Sequence, residues 1–323
     1  MLPFLVTAGL KPHILFEPKQ PDETPNLSGV AATATAAGCE VVVLQKVHGP
    51  NAVALAQQLA ATGIRTVYAV CDLIDVPMVE ATDATIVVTE YLKSLYPASL
   101  QPRIHVVHDG IEHPDICKSE WGKNHANRAR PLRAVLVTSA DLDRLPVLGH
   151  PPEWMKVRIV GRYARGLRKW RELWWTWSAQ PTENRLHYLR FLADRRISCV
   201  SWEPVGVYRE MMQADIGIIP VETSEDKPAF ALPPSWKVKS ENRLTMKMSI
   251  GLPVIATPIP SYEPVIEHGV NGFFARSKRD WQECLIALRD PARRQEMGMA
   301  ARASVEKKYS MEEQALKLIR VLS

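Results

Sequence analysis

The strongest constraint on this chain is an alternation of short apolar runs with helix-like segments, laid down in two series. Residues 40–44 (EVVVL), 66–70, 84–88 (ATIVV) and 104–107 read as strands. Residues 51–61, rich in Ala, Leu and Gln, read as a helix closed by Gly63. Thr89 is a cap for a short helix over 90–96, stopped by Pro97. Runs that are apolar throughout suit strands buried on both faces, and helices between them make the sheet parallel. The second series has strands at 134–137, 157–160, 197–200, 216–219 and 253–256, with helices at about 208–213, 241–250 and 281–288. Helices over 292–308 and 311–322 follow. Residues 112–131 are polar, basic and nearly free of apolar periodicity, so the linker is expected there. Two α/β units in tandem place a ligand in the cleft between them. On the first sheet the ligand edge falls at the carboxyl ends of the strands, residues 46–51, 71–75, Thr89 and 108–110.

Length and composition fit this outline. At roughly 100–200 residues per domain, 323 residues make two domains. With 46% hydrophobic and 23% charged residues, disorder over the whole chain is excluded. The formal charge of +5 suits anionic small molecules or a membrane surface and argues weakly for nucleic acid. No apolar run reaches the ~18 residues of a membrane span. The opening MLPFLVTAGL lacks a basic flank and a clear cleavage site, and is not read as a signal peptide. Cys39, Cys71, Cys117, Cys199 and Cys284 are scattered, with neither metal-site spacing nor a disulfide framework, so reduced thiols in a cytoplasmic protein are expected.

One stretch is more specific. Residues 251–322 open on Gly251-Leu252-Pro253-Val254, continue through Tyr262, Val265 and Ile266 to a Gly269-x-Asn271-Gly272 turn, and finish in ARASVEKKYS (301–310 within residues 300–310) and a last helix. Upstream lie MMQADIGIIPVE (211–222), ATDATIVVTEYLKSLYP (81–97) and RIHVVHDGIE (103–112). Together these resemble glycosyltransferases of the GT-B fold, group-1 (family 4) type. The resemblance covers about two-thirds of the chain. It implies an α/β fold of two Rossmann-like domains facing across a cleft: an acceptor-side domain over 1–120, a linker over 121–131, a nucleotide-sugar domain over 132–308, and a helix over 309–323 crossing back. It also implies transfer of a sugar from a nucleoside diphosphate (UDP or GDP) donor to an acceptor hydroxyl. Retention of configuration is expected, with no metal and no cofactor beyond the donor substrate. The acceptor, whether glycan, lipid, small molecule or protein, is not specified.

A donor diphosphate gathers negative charge as it leaves, so fixed cations and free N–H groups should face it. Ser240 is the expected N-cap of a helix with Glu241, Asn242 and Arg243 in its first turn, and helix N-termini bind anions. Lys239 and Arg243 are the expected phosphate cations, while Lys247 reads as solvated surface charge. The family carries two spaced glutamates before the Gly-Leu-Pro strand, and here Val238 and Met246 stand in their places. Glu241 is the nearest acid to take over. After the first strand of the second domain Ser139 offers a weaker phosphate contact than the family's basic pair. Arg162 and Tyr163 end the next strand as candidates for phosphate or base. Trp202 and Val205 lie in the loop where the nucleobase usually rests, and Trp202 either stacks on the base or plugs the core. In the first domain Cys71 stands where the family often has His. Asp72 beside it and His48 in the neighbouring loop are candidates for sugar or acceptor contact.

Trp170, Trp174 and Trp177 share one helical face, with Arg165, Arg168, Lys169 and Arg171 upstream. Two readings stand side by side, a core-facing helix and a peripheral membrane contact. Loss of the paired glutamates also leaves open a glycosyltransferase-like binding or scaffolding subunit, and the fold admits a nucleotide-sugar epimerase.

Overall fold

The apolar runs pair into two all-parallel sheets in the computed structural model. The structure describes residues 1–18, 23–122, 124–138, 151–161, 174, 177–178, 185–186, 189, 193–223 and 233–323. The chain divides into two units. The first contains Met1–Glu112, Asp226–Glu241 and Tyr309–Ser323, and the second His113–Glu225 and Asn242–Lys308. Among the described residues no helix is long and apolar enough to cross a membrane.

Unit 1 is built on four strands in sequential order, β1 (Val41–Gln45), β2 (Arg65–Val70), β3 (Ala84–Val87) and β4 (Ile104–Val106). Its helices are α1 (Leu2–Thr7), α2 (Val30–Ala36), α3 (Pro50–Ala61), α4 (Val76–Ala81) and α5 (Glu90–Ser94). Local chemistry sets their starts. The Asp75 side chain accepts from Met78 N to cap α4, and Thr89 accepts from Leu92 N to cap α5. Leu55 and Leu59 of α3 pack with Tyr68, Leu92, Ile104 and Val238 in one core. The other core gathers Val67, Ala84, Ile86, Val107 and Val321.

Unit 2 carries a six-stranded sheet of β5 (Leu132–Val137), β6 (Met155–Gly161), β7 (Ile197–Ser201), β8 (Ile216–Ile219), β9 (Val254–Ala256) and β10 (Phe273–Phe274). Their order is β10-β9-β8-β5-β6-β7, so the winding reverses between β5 and β8. In such sheets the ligand crevice lies outside the carboxyl ends of the strands at the reversal. The helices of unit 2 are α6 (Gly206–Gln213), α7 (Asn242–Ser249), α8 (Lys278–Ala287) and α9 (Pro291–Glu306). After α9 the chain returns to unit 1 as α10 (Met311–Leu322).

The expected linker over 121–131 is not a free connection. Unit 2 begins at His113, and Trp121 is buried in it, its indole N–H donating to Gly251 O at 2.5 Å. Lys118 Nζ donates to Met212 O at 2.7 Å and Ala214 O at 2.8 Å, and Arg294 Nε donates to Trp121 O at 2.8 Å. These polar residues lack apolar periodicity because side-chain bonds to carbonyls hold the segment down. Gly251, at φ 83, closes α7 in the left-handed conformation that glycine adopts without strain. In the 269–272 turn Asn271 is structural, its amide donating to Val265 O at 3.0 Å and its carbonyl oxygen accepting from Glu267 N at 2.8 Å.

Candidate active site

The carboxyl edge of the unit 1 sheet collects most of its chemistry. Directly after β1, Lys46 takes a left-handed φ of 56 while its N–H still bonds Ala69 O at 2.9 Å. The chain therefore leaves the sheet sharply at that edge. After β2, Cys71 Sγ donates to Asp72 Oδ1 at 3.1 Å. Burial pushes the Cys71 thiol up to about 11, so it stays protonated and inert near neutrality. Cys71, Asp72 and Asp109 together hold the Lys46 ammonium above its ordinary value.

After β4 come His108 and Asp109, at the centre of a buried network. His108 Nδ1 lies 2.6 Å from Glu241 Oε1 and 2.9 Å from Val88 O. Both neighbours are acceptors, so the Nδ1–H tautomer fits, and Nε2 is left as the basic atom. The His108 backbone N–H donates to Gln314 Oε1 at 3.0 Å, and Tyr309 packs edge-on against the imidazole with ring centroids 4.9 Å apart. Glu241 is 1% exposed. The ring's hydrogen bond goes to Val88 O, and the buried Glu241 carboxylate meets the same nitrogen as a close charge contact that favours a positive ring. Asp109 is pushed above the usual carboxylate range by burial, with a hydrogen bond to Ser240 opposing the rise and the nearby Glu241 adding to it. Burial and Glu241 also raise the Tyr309 phenol. Raised acidic groups beside a histidine at a strand's carboxyl end make this edge the candidate site. Among the described residues no three His, Cys, Asp or Glu side chains are grouped to hold a metal ion.

The expected site residues fall unevenly on this frame. Glu241 is in the network, but as the group behind His108 rather than one facing solvent. Ser240 does not cap α7, which opens at Asn242, and is instead bonded to Asp109. Asp72 is exposed at the rim beside Cys71 and Lys46. His48 is exposed in the turn between β1 and α3 and enters none of the cluster's described hydrogen bonds. Lys239, Asn242 and Arg243 are half-buried around the start of α7. Val238 packs in the unit 1 core and Met246 against a unit 2 core, so apolar contacts fill the places of the family's glutamates. Lys247 is not solvated. It is fully buried, with Nζ donating to Arg243 O at 3.0 Å.

Trp202 is 48% exposed beyond β7 and does not plug the core, and Val205 is exposed at the start of α6. Ser139, Arg162 and Tyr163 lie outside the described residues, as do Trp170 and Trp175. Trp177 packs on the unit 2 core and Trp174 is exposed beside it, ring centroids 5.2 Å apart. His108 and Asp109 are the residues that motif reasoning missed, although the strand pattern placed both on the ligand edge.

Comparison with solved structures defines the class. The chain is similar to HepE of Anabaena in complex with UDP, with a TM-score of 0.66 and 14% identity over 92% of this chain and 81% of that one. A glycosyltransferase from Rickettsia africae matches with a TM-score of 0.65 and 11% identity over 95% and 83%. Sucrose-phosphate synthase from Thermosynechococcus elongatus matches with a TM-score of 0.63 and 12% identity over 91% and 76%. The fold is therefore α/β with parallel sheets, that of GT-B glycosyltransferases. The family model for glycosyl transferase-like proteins matches residues 142–320, and the chain belongs to that family. No curated protein matches its sequence.

Proposed function

We propose that this chain transfers a sugar from a nucleoside diphosphate sugar to an acceptor hydroxyl, with His108 as the base. The observation that carries the reading is the buried Glu241 carboxylate, 2.6 Å from His108 Nδ1. Held on that side, the ring keeps Nε2 available to take the hydroxyl proton, and Glu241 stabilises the imidazolium that results. Glu241 is thus a positioning residue. Asp109, its carboxyl raised by burial, supplies a second proton site next to the histidine.

On the donor side, amide N–H groups opening α7, with Lys239 and Arg243, offset the charge that builds on the departing diphosphate. This scheme draws its positive charge from the chain itself and uses neither metal nor cofactor. The half-exposed indole of Trp202, with Val205 nearby in sequence, offers a face for the base. The UDP bound by HepE makes uridine the first nucleotide to try. Retention is the course that the resemblance implies, and a cytoplasmic location fits the free thiols. A second reading, a subunit that binds donor without transferring it, is favoured by Val238 and Met246 in packing roles.

Calorimetry with UDP and GDP, followed by turnover of UDP-glucose with a panel of acceptors, separates the two readings. Lys239→Ala and Arg243→Ala should each weaken nucleotide binding by roughly 1.5–3 kcal/mol. His108→Gln and Glu241→Gln should lower transfer by about 10²-fold or more while nucleotide affinity holds. Wild-type turnover in both variants removes the dyad from the chemistry. Binding without any turnover selects the second reading.

A further inference from the structure

β1 leaves the sheet of unit 1 with an open edge. It pairs with β2 alone. Lys46 N donates to Ala69 O, and Glu40 O accepts from Arg65 N. In the alternation of a strand, the backbone groups of Val41, Val43 and Gln45 therefore point away from β2. Among the described residues these groups have no hydrogen-bond partner. The Val43 side chain is 45% exposed, and Gln45 is exposed as well. Native sheets blunt such edges with charge, with proline or with a cover. At the outer edge of the unit 2 sheet, for example, His268 Nδ1 accepts from Phe274 N at 3.0 Å and closes β10. β1 itself, Val-Val-Val-Leu-Gln, carries neither charge nor proline. The ground beside it is also uncharged. α2 runs into β1 through Gly38 at φ 66, and from residue 24 to residue 45 Glu40 is the one charged side chain. Ala32, Thr33, Thr35, Ala36 and Ala37 are exposed there. Small uncharged side chains around an unpaired strand suit burial against protein, because charge is depleted at the centre of an interface.

We propose that β1 is the interface of a symmetric dimer, in which the four-stranded sheets of two copies join edge to edge. The strand is complementary to itself. Two β1 strands laid antiparallel about a two-fold axis at Val43 set Val43 against its own copy and Val41 against Gln45. Opposite residues of this kind exchange both backbone bonds, so every open group gains a partner at once. A residue on the axis meets itself, and there a charge would repel, whereas a β-branched apolar side chain packs. The same register sets Glu40 of each copy against Lys46 of the other, so the two ends attract. Lys46 keeps Asp72 and Asp109 as neighbours within its own unit, and it is exposed, as Glu40 is. A foreign strand would call for none of this symmetry. Val41, Val43 and Gln45 have no part in the transfer chemistry, so the two proposals stand or fall separately.

Sedimentation velocity of the full chain across the micromolar range tests it, with a concentration-dependent dimer as the expected result. Val43→Lys puts two cations on the axis and should weaken the dimer about tenfold or more. Glu40→Lys should weaken it less, and Glu40→Lys combined with Lys46→Glu should restore it, because the ends attract again. Val43→Cys reports the register. Under mild oxidation it should give a disulfide-linked dimer that the wild-type chain, with its own free thiols, does not give. Ile286→Lys, at an exposed apolar position on α8 of unit 2, should dimerise as wild type does. Unchanged far-ultraviolet circular dichroism shows that the variants fold. A wild-type chain that stays monomeric overturns the proposal, as does a dimer indifferent to Val43→Lys. So does slow exchange of the Val43 amide that does not depend on concentration, which would show the edge covered by the chain itself.

Discussion

Lys247 shows how far a single side chain can depart from its expected setting. Burial, with Arg243 nearby, lowers its ammonium to about 7 from an ordinary 10.5. Gly217 on β8 makes the room, since a Cβ there would stand 2.7 Å from Lys247 Cδ. The unfolded chain holds this proton up to its ordinary value and the folded chain loses it near neutrality. Stability should therefore rise from about pH 7 to 9, by roughly 2–3 kcal/mol; above that the Cys71 and Cys284 thiols, raised by burial to about 11, act in the opposite sense. Urea midpoints across that range check the sign. Lys247→Met should flatten the rise and stabilise the protein near neutrality, because an apolar chain fills the site without a desolvation cost. A smaller slope should remain from Lys118, lowered by burial to about 8. An unchanged slope in Lys247→Met would show that the amine stays charged when buried. At this scale the sequence was a poor guide. Lys247 and Arg243 look alike in a list of cations, and His108 is informative only once Glu241, remote in sequence, lies against it.

Elements were far more legible. Strands β1 to β9 stand in the sequence as apolar runs because both faces of a parallel sheet are covered. β10 was not read, since Phe273–Phe274 is too short to show a pattern. α4 was hidden by Pro77, which its first turn tolerates. The start of α7 was misplaced by one residue, and that moved Ser240 from a cap to a partner of Asp109. Close packing of α9 on α7 depends on Gly298, where a Cβ would run into Trp121 Nε1 and Gly251 O. Gly298→Ala would gain ~1 kcal/mol of helix propensity. The clash and the strained indole bond should outweigh it and cost roughly 2–4 kcal/mol net. Chemical denaturation measures the balance, and a stabilised variant would show that the helices can separate freely.

At the scale of the molecule, the two α/β units were legible, and the resemblance already sent the helix over 309–323 back to the first, where Tyr309–Ser323 is found. Alternating runs count domains well, but they do not show that Asp226–Glu241 belongs with the first unit too. Each returning segment reaches the histidine, the first through Glu241 and the second through Tyr309 and Gln314. Val321 of α10 also closes the core against Val67 and Ile86. Truncation after Lys308 should therefore abolish activity and expose that core to a hydrophobic dye, while circular dichroism still reports the helices and strands of unit 2. An active truncated chain would contradict the assignment.

This interleaving also sets an order of assembly during synthesis. Residues 1–112 are made before unit 2, and α3 can cover one face of their sheet, but the face with Val67 and Ile86 lacks Val321 until residues 309–323 follow unit 2. Unit 1 is then begun before unit 2 and completed after it, and in that interval this apolar face is the surface a chaperone would have to shield.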